Sequence, residues 1–137
     1  MKVVSLLPYA DFLGIRVAGE RGGAPLLVMP YSEGLVGLPD RLHGGAMAGL
    51  LEIAAIAAID ATLAEGDKAR SIFKPITVTV DFMRPGLPAD IYACGEVVRV
   101  GGRIANVSVT AWQDDPGRTI AAARMNLAIT PSQTENR

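Results

Sequence analysis

The residues best suited to chemistry lie in one stretch, Leu42-His43-Gly44-Gly45-Ala46-Met47-Ala48-Gly49-Leu50-Leu51-Glu52, which continues into Ile53-Ala54-Ala55-Ile56-Ala57-Ala58-Ile59. It reads as the mouth and body of a long helix, apolar all round, with one carboxylate, Glu52, in its middle. A helix without a polar face belongs in a protein interior. A carboxylate buried there is costly unless it is paired, protonated or put to use. Gly44 and Gly45 open the helix, where the first backbone N–H groups lack intrahelical acceptors and can receive an incoming negative charge. A donor for an oxyanion at one end and a carboxylate further along are the parts that acyl transfer requires.

The remaining candidates are weaker. His43 is the only histidine; its place just before the glycines suits closing the helix start better than acid–base work. Arg84, Arg99 and Arg103 fall at strand ends or turns, where guanidinium groups either stay solvated or hold phosphates through charge-assisted bonds. Asp60 fits a capping or pairing role, and Cys94 and Trp112 read as packing. Met47 and Met83 read as core filling that can also shape a channel. With one cysteine and one histidine, an internal disulfide is excluded and no metal-ligand cluster is convincing.

These residues must be held by a fold, and the chain offers a short list of elements. Residues 6–13 suggest a helical turn ending at Gly14. Residues 15–18 and 26–29 read as strands around a Glu20-Arg21-Gly22-Gly23 turn. A loop over 30–42 leads into a helix over 43–63 that should stop near Gly66. Strand-like runs follow at 76–82, 91–100, 103–112 and 119–129, separated by Gly-Gly and Asp-Asp-Pro-Gly turns. The order implies an α+β domain in which one apolar helix packs against a curled antiparallel sheet.

The 137 residues suit a single domain spanning 1–137, and equal halves of hydrophobic and other residues mark it as globular. A net charge of −1 gives no general attraction to nucleic acid or an anionic membrane. Pro8 and Asp11 interrupt the only apolar run near the N-terminus, so no signal peptide is expected, and the default location is the reducing cytoplasm. Residues 42–63 approach membrane-spanning length, but Glu52 and Asp60 inside them argue for a core helix.

The element order and the motif together resemble the hotdog fold, in which a sheet wraps a long central helix and two sheets join edge to edge in a dimer. The specific resemblance is to acyl-CoA thioesterases of the phenylacetate-degradation type, whose signature is His-Gly-Gly at the helix start and an acid nine positions after the histidine. His43-Gly44-Gly45 and Glu52 match that spacing. Phe82-Met83-Arg84-Pro85-Gly86 resembles the family's strand-ending segment, and Val98-Arg99-Val100-Gly101-Gly102-Arg103 its Arg-x-Gly-Arg turn with one extra residue. Two departures stand out. The Asn or Gln that many members carry six residues before the histidine is Gly37 here, and a Ser or Thr early in the following strand falls at Pro75.

The resemblance implies a cofactor-free thioesterase acting on acyl-CoA. The Gly44 N–H would hold the oxyanion, and Glu52 would attack the carbonyl or activate water. His43, Gly45, Arg84, Arg99 and Arg103 would contact the substrate, and Asp40 would replace part of the polar group missing at Gly37. A non-catalytic acyl-CoA binding protein is the alternative; a hotdog dehydratase fits less well, because its catalytic histidine sits in a different motif. Gly44 and Glu52 are eight residues apart, about 12 Å along a helix axis at ~1.5 Å per residue. Both must come within about 3 Å of one reacting carbon. The two halves of a site are therefore expected from different subunits of a homodimer, with a dimer of dimers also compatible with the family.

Overall fold

The computed structural model describes residues 6–64 and 71–131. A short helix α1 (Pro8–Leu13) ends at Gly14, whose left-handed φ of 77° closes it. Strands β1 (Arg16–Arg21) and β2 (Ala24–Met29) form a hairpin. Its two-residue turn, Gly22 and Gly23, has φ of 61° and 84°, the doubly positive geometry that glycine supplies without strain. A 3-10 turn (Glu33–Leu35) precedes α2 (Gly44–Leu63), and β3 (Ser71–Phe82), β4 (Ile91–Val100), β5 (Ile104–Trp112) and β6 (Ala121–Pro131) complete the chain. All the pairings are antiparallel, in the order β1-β2-β4-β5-β6-β3. This is the hotdog architecture: one six-stranded sheet curled around one long helix.

Two expectations from the sequence are corrected. β3 begins at Ser71, not at residue 76, and runs through Pro75. Proline cannot donate to a ladder, which marks it as a strand breaker in sequence, but β3 is an edge strand and carries a register shift between Pro75 and Thr77. β3 pairs with β6 and not with its successor β4. The first hairpin turn is tighter than expected, because Glu20 and Arg21 remain in the ladder. The helix end expected near Gly66 lies outside the described residues.

The core is built of small side chains. β4, β5 and β6 turn Ala93, Gly95, Ala105, Ala111, Ala121 and Ala123 toward α2, which answers with Ala54, Ala55, Ala57 and Ala58; all are buried. The helix therefore lies close to the sheet, and a Cβ placed on Gly95 would come within 2.9 Å of the Ala58 Cβ and 3.0 Å of the Ala54 carbonyl oxygen. Such an approach explains why α2 has no polar face: strands from β2 to β6 touch it. The helix is long and apolar enough to cross a bilayer, yet 61% of its most apolar window is buried within the domain. Gly95→Ala should overpack this contact and destabilise the fold by about 1–3 kcal/mol. The check is the urea midpoint, which should fall while the slope of the transition stays constant.

Candidate active site

The start of α2 leaves one backbone donor open. His43 is the N-cap, with extended dihedrals, and its Nδ1 accepts the Gly45 N–H at 2.8 Å. The His43 carbonyl accepts from Ala46 and Met47, each at 3.1 Å. The His43 N–H is itself held by the Leu35 carbonyl at 2.7 Å, which fixes the entry of the chain. Of the four N–H groups that a helix start leaves without intrahelical acceptors, only that of Gly44 has no hydrogen-bond partner among the described residues.

The capping role assigns the imidazole a definite state. A nitrogen that accepts carries no proton, so the neutral ring bears its proton on Nε2. Gly45 makes room for this arrangement, since a Cβ there would lie 2.9 Å from His43 Nδ1 and Cε1. Gly37 does the same from the other side: a Cβ would meet the His43 Cα at 3.1 Å and Cδ2 at 3.2 Å. The space beside residue 37 is thus taken by the histidine.

Gly44 opens into a pocket of about 440 Å³ lined by Gly37, Leu38, Arg41, Leu42, His43, Met47 and the run from Phe82 to Gly86. The Phe82 ring lies 3.4 Å from where a Gly44 Cβ would stand. The pocket brings together Gly44, His43 and Arg84 of the residues selected from sequence. Asp40 stays outside its lining, at the tip of a tight turn in which Gly37 donates to the Arg41 carbonyl at 2.9 Å. Its φ of 61° is a conformation that aspartate tolerates better than most residues. Arg41 lines the pocket instead; sequence reasoning passed over it, although a cation two residues before a helix mouth is a usable signal.

Glu52 is not buried in the way the sequence suggests. It is half-buried and lies on a stripe of α2, Gly45, Ala48, Gly49, Glu52, Ile56 and Asp60, that the sheet does not seal. The carboxylate has no hydrogen bond or ion pair among the described residues, and it is absent from the Gly44 pocket. Helix α1 covers part of the stripe, with Leu13 and Tyr9 against Gly49. Both Gly44 and Glu52 stand on the continuous helix α2, so their separation along its axis holds.

Arg99 and Arg103 flank the β4–β5 turn. That turn lies at the opposite end of the sheet from Phe82 and Trp112, next to the residues 128–129 of β6. Within one chain they do not reach the Gly44 pocket. Cys94 is half-buried, its Sγ 3.4 Å from the Arg21 carbonyl oxygen. Burial pushes its thiol up, against the opposing pull of Arg21, so it is a poor nucleophile. Trp112 is buried, stacked on Tyr92 and covered by the Arg21 guanidinium at 5.2 Å. Among the described residues no cluster of three or more metal-ligating side chains occurs.

Residues 37–128, well over half of the chain, match the family model of the acyl-CoA thioesterase N-terminal domain. The chain belongs to that acyl-CoA thioesterase family. The matched residues run from the Gly37 loop through the Gly44 mouth to β6. A Haemophilus influenzae thioesterase superposes with a TM-score of 0.79 at 17% identity, over 94% of this chain and 87% of its own. A thioesterase-family protein from Silicibacter pomeroyi gives 0.77 at 23%, over 92% and 91%. A Bacillus halodurans protein solved with CoA gives 0.77 at 19%, over 91% and 80%. At these identities the structures establish the shared fold. No protein of curated function matches this chain.

The capping geometry of this thioesterase-family domain makes a direct prediction. His43→Ala should cost about 1 kcal/mol of stability. Gly45→Ala, which displaces the imidazole, should be destabilising in the same direction. His43→Asn, whose side chain can cap in its place, should stay near the parent. Denaturant unfolding of the three variants side by side reads this out.

Proposed function

We propose that this chain hydrolyses an acyl-CoA to a carboxylic acid and free CoA, at sites shared between two copies, in the manner of the phenylacetate-degradation thioesterases. The observation that carries the reading is the N–H of Gly44, without a partner among the described residues, on a residue that lines a pocket and stands at the positive end of a long helix. As the thioester carbonyl is attacked, its oxygen becomes anionic and gains most from that donor. Glu52 of the neighbouring copy supplies the carboxylate. It either takes a proton from water as the water oxygen bonds to the carbonyl carbon, or attacks that carbon to give an anhydride that water then opens. In both routes the C–S bond breaks, the acid keeps the new oxygen, and the CoA thiolate leaves to be protonated.

The dimer rests on β3. Its outer edge has no strand partner among the described residues, and Ile72, Ile76, Val78 and Phe82 along it are exposed. A long apolar edge is a template for another strand. Antiparallel pairing of two such edges continues the sheet and brings the open stripe of each α2 toward its mate, with Glu52 approaching the other copy's Gly44. A non-catalytic acyl-CoA binder is the second reading. It is favoured by Gly37, which has no side chain to orient a thioester or a water.

Complementation tests both the chemistry and the sharing. Gly44→Pro removes the N–H while keeping the helix, because proline is well accepted at the first helical position and His43 already has the extended dihedrals that must precede it. Gly44→Pro should lose about 10²–10³-fold in kcat, and Glu52→Ala should abolish thiol release from a panel of aryl, short-chain and medium-chain acyl-CoAs. Mixed and re-equilibrated, the two variants should recover about a quarter of parental activity, since half the dimers are mixed and each has one intact site. No recovery would place both groups in one chain's site. Tight acyl-CoA binding by the parent without thiol release would favour the binder.

A Val78→Lys substitution on the β3 edge should shift the protein toward monomer in sedimentation and lower its activity in parallel. A monomer with full activity would refute the shared site.

A further inference from the structure

Helix α1 lies against the open stripe of α2, and it sets a hydroxyl there. The stripe runs through Gly45, Ala48, Gly49, Glu52, Ile56 and Asp60. As far as Ile56 its one polar side chain is Glu52, so the carboxylate finds no side-chain donor on this part of its own helix. Glycine inside a helix is unfavourable, and at Gly49 the space it leaves is taken by α1. A Cβ there would stand 3.0 Å from Leu13 Cδ1, 3.2 Å from Tyr9 Cε2 and 3.8 Å from the Tyr9 hydroxyl oxygen. The tyrosine ring is thus seated on the helix surface at Gly49.

That seat is firm. Ala10 and Leu13 of α1 are buried in the core. Gly14 closes the short helix, its N–H on the Asp11 carbonyl at 3.1 Å, and the Ile15 N–H returns to the Ala10 carbonyl at 2.8 Å. Phe12 stacks on Tyr9, with ring centroids 6.0 Å apart and planes 12° from parallel. Tyr9 remains half exposed, so its hydroxyl is open to a partner.

Glu52 stands three residues after Gly49 on the same face of α2. Side chains on a helix lean toward its N-terminus, so Glu52 covers the turn that carries Ala48 and Gly49. Cβ positions three residues apart are separated by about 5–6 Å, and the carboxylate oxygens lie three bonds beyond Cβ. The carboxylate and the Tyr9 hydroxyl therefore share one patch of helix surface, and rotation about the glutamate side-chain bonds brings them together. Neither has a hydrogen-bond partner among the described residues. A phenol can donate, and an ionised carboxylate can only accept.

We propose that Tyr9 is the positioning residue for Glu52: its hydroxyl donates to one carboxylate oxygen and turns the other toward the water or the thioester carbon. This assignment rests on the thioesterase reading. It makes Tyr9 and Glu52 of one chain a unit that serves the Gly44 N–H of the other.

Tyr9→Phe keeps the ring on Gly49 and the stack with Phe12 and removes only the hydroxyl. Its kcat should fall about tenfold, the scale of one hydrogen bond to a charged group, with KM and the urea midpoint at parental values. The complementing pair of variants locates the effect. The Gly44→Pro chain supplies Glu52 to the one intact site of the mixed dimer, so adding Tyr9→Phe to that chain should lower the recovered activity about tenfold. Adding it to the Glu52→Ala chain should leave the recovery unchanged. Parental kcat in Tyr9→Phe, a fall in kcat that follows a fall in the urea midpoint, or equal losses in both arrangements would overturn the assignment while leaving the hydrolase intact. Should the unaltered pair show no recovery, Tyr9→Phe alone decides: a lower kcat at parental KM and midpoint supports the role, and parental kcat overturns it. A parent that releases no thiol from any acyl-CoA of the panel fails as a thioesterase, and the role of Tyr9 falls with it.

Discussion

An apolar helix has to be wrapped, and the fold follows from how closely a sheet can approach it. Each Leu, Ile or Met turned from α2 toward the strands is removed from water, and burial of this kind supplies most of the drive to fold. The alanines and Gly95 on the inward face of β4 to β6 bring the backbones close enough for the sheet to curl round the helix. Six strands still do not close the circle. They leave one stripe of α2 and one edge of β3 uncovered. The same constraint that builds the core thus leaves open the surface on which the proposed shared site rests.

That incompleteness explains the state of Glu52. A carboxylate fully buried in a lone chain would need a partner or a proton, whereas the half-buried Glu52 keeps access to solvent and pays no such penalty. At the helix mouth the logic is subtraction. The Leu35 carbonyl takes the His43 N–H, the His43 ring that of Gly45 and the His43 carbonyl that of Ala46, and the remaining donor belongs to Gly44, which lines a pocket. The histidine serves the site by what it occupies. Its imidazole fills the space on the side of Gly37 and needs the missing Cβ of Gly45 to lie flat against the first turn.

A second pocket, made of the β3–β4 connection and the β5–β6 turn, adjoins the first at Arg84 and Pro85. These segments are far apart in sequence and meet because Phe82 pairs with Ala121 at the end of the ladder. A single ladder therefore sets both the Phe82 ring over Gly44 and the positions of Arg84 and Arg118. The Gly44 mouth, its pocket wall and Arg84 share one end of the sheet, and the hairpin bearing Arg99 and Arg103 projects from the other.

By itself the sequence determined the local chemistry: the apolar helix, its mouth at His43-Gly44-Gly45, the spacing to Glu52, and the alternation that makes β4 and β5 strands. These depend on residues within a few turns of one another, so period and capping rules read them directly. It understated β3, because proline is forbidden in a paired interior and the sequence does not say that β3 lies at an edge. It did not separate Arg84, which lines the Gly44 pocket with Arg41, from Arg99 and Arg103, which stand at the other end of the same chain's sheet, because strand order decides which ends of distant segments meet, and strand order is a property of the closed sheet. Half-burial of Glu52 was likewise a tertiary outcome: the helix is apolar on every side, and only the curl of the sheet around it decided which side would be left open.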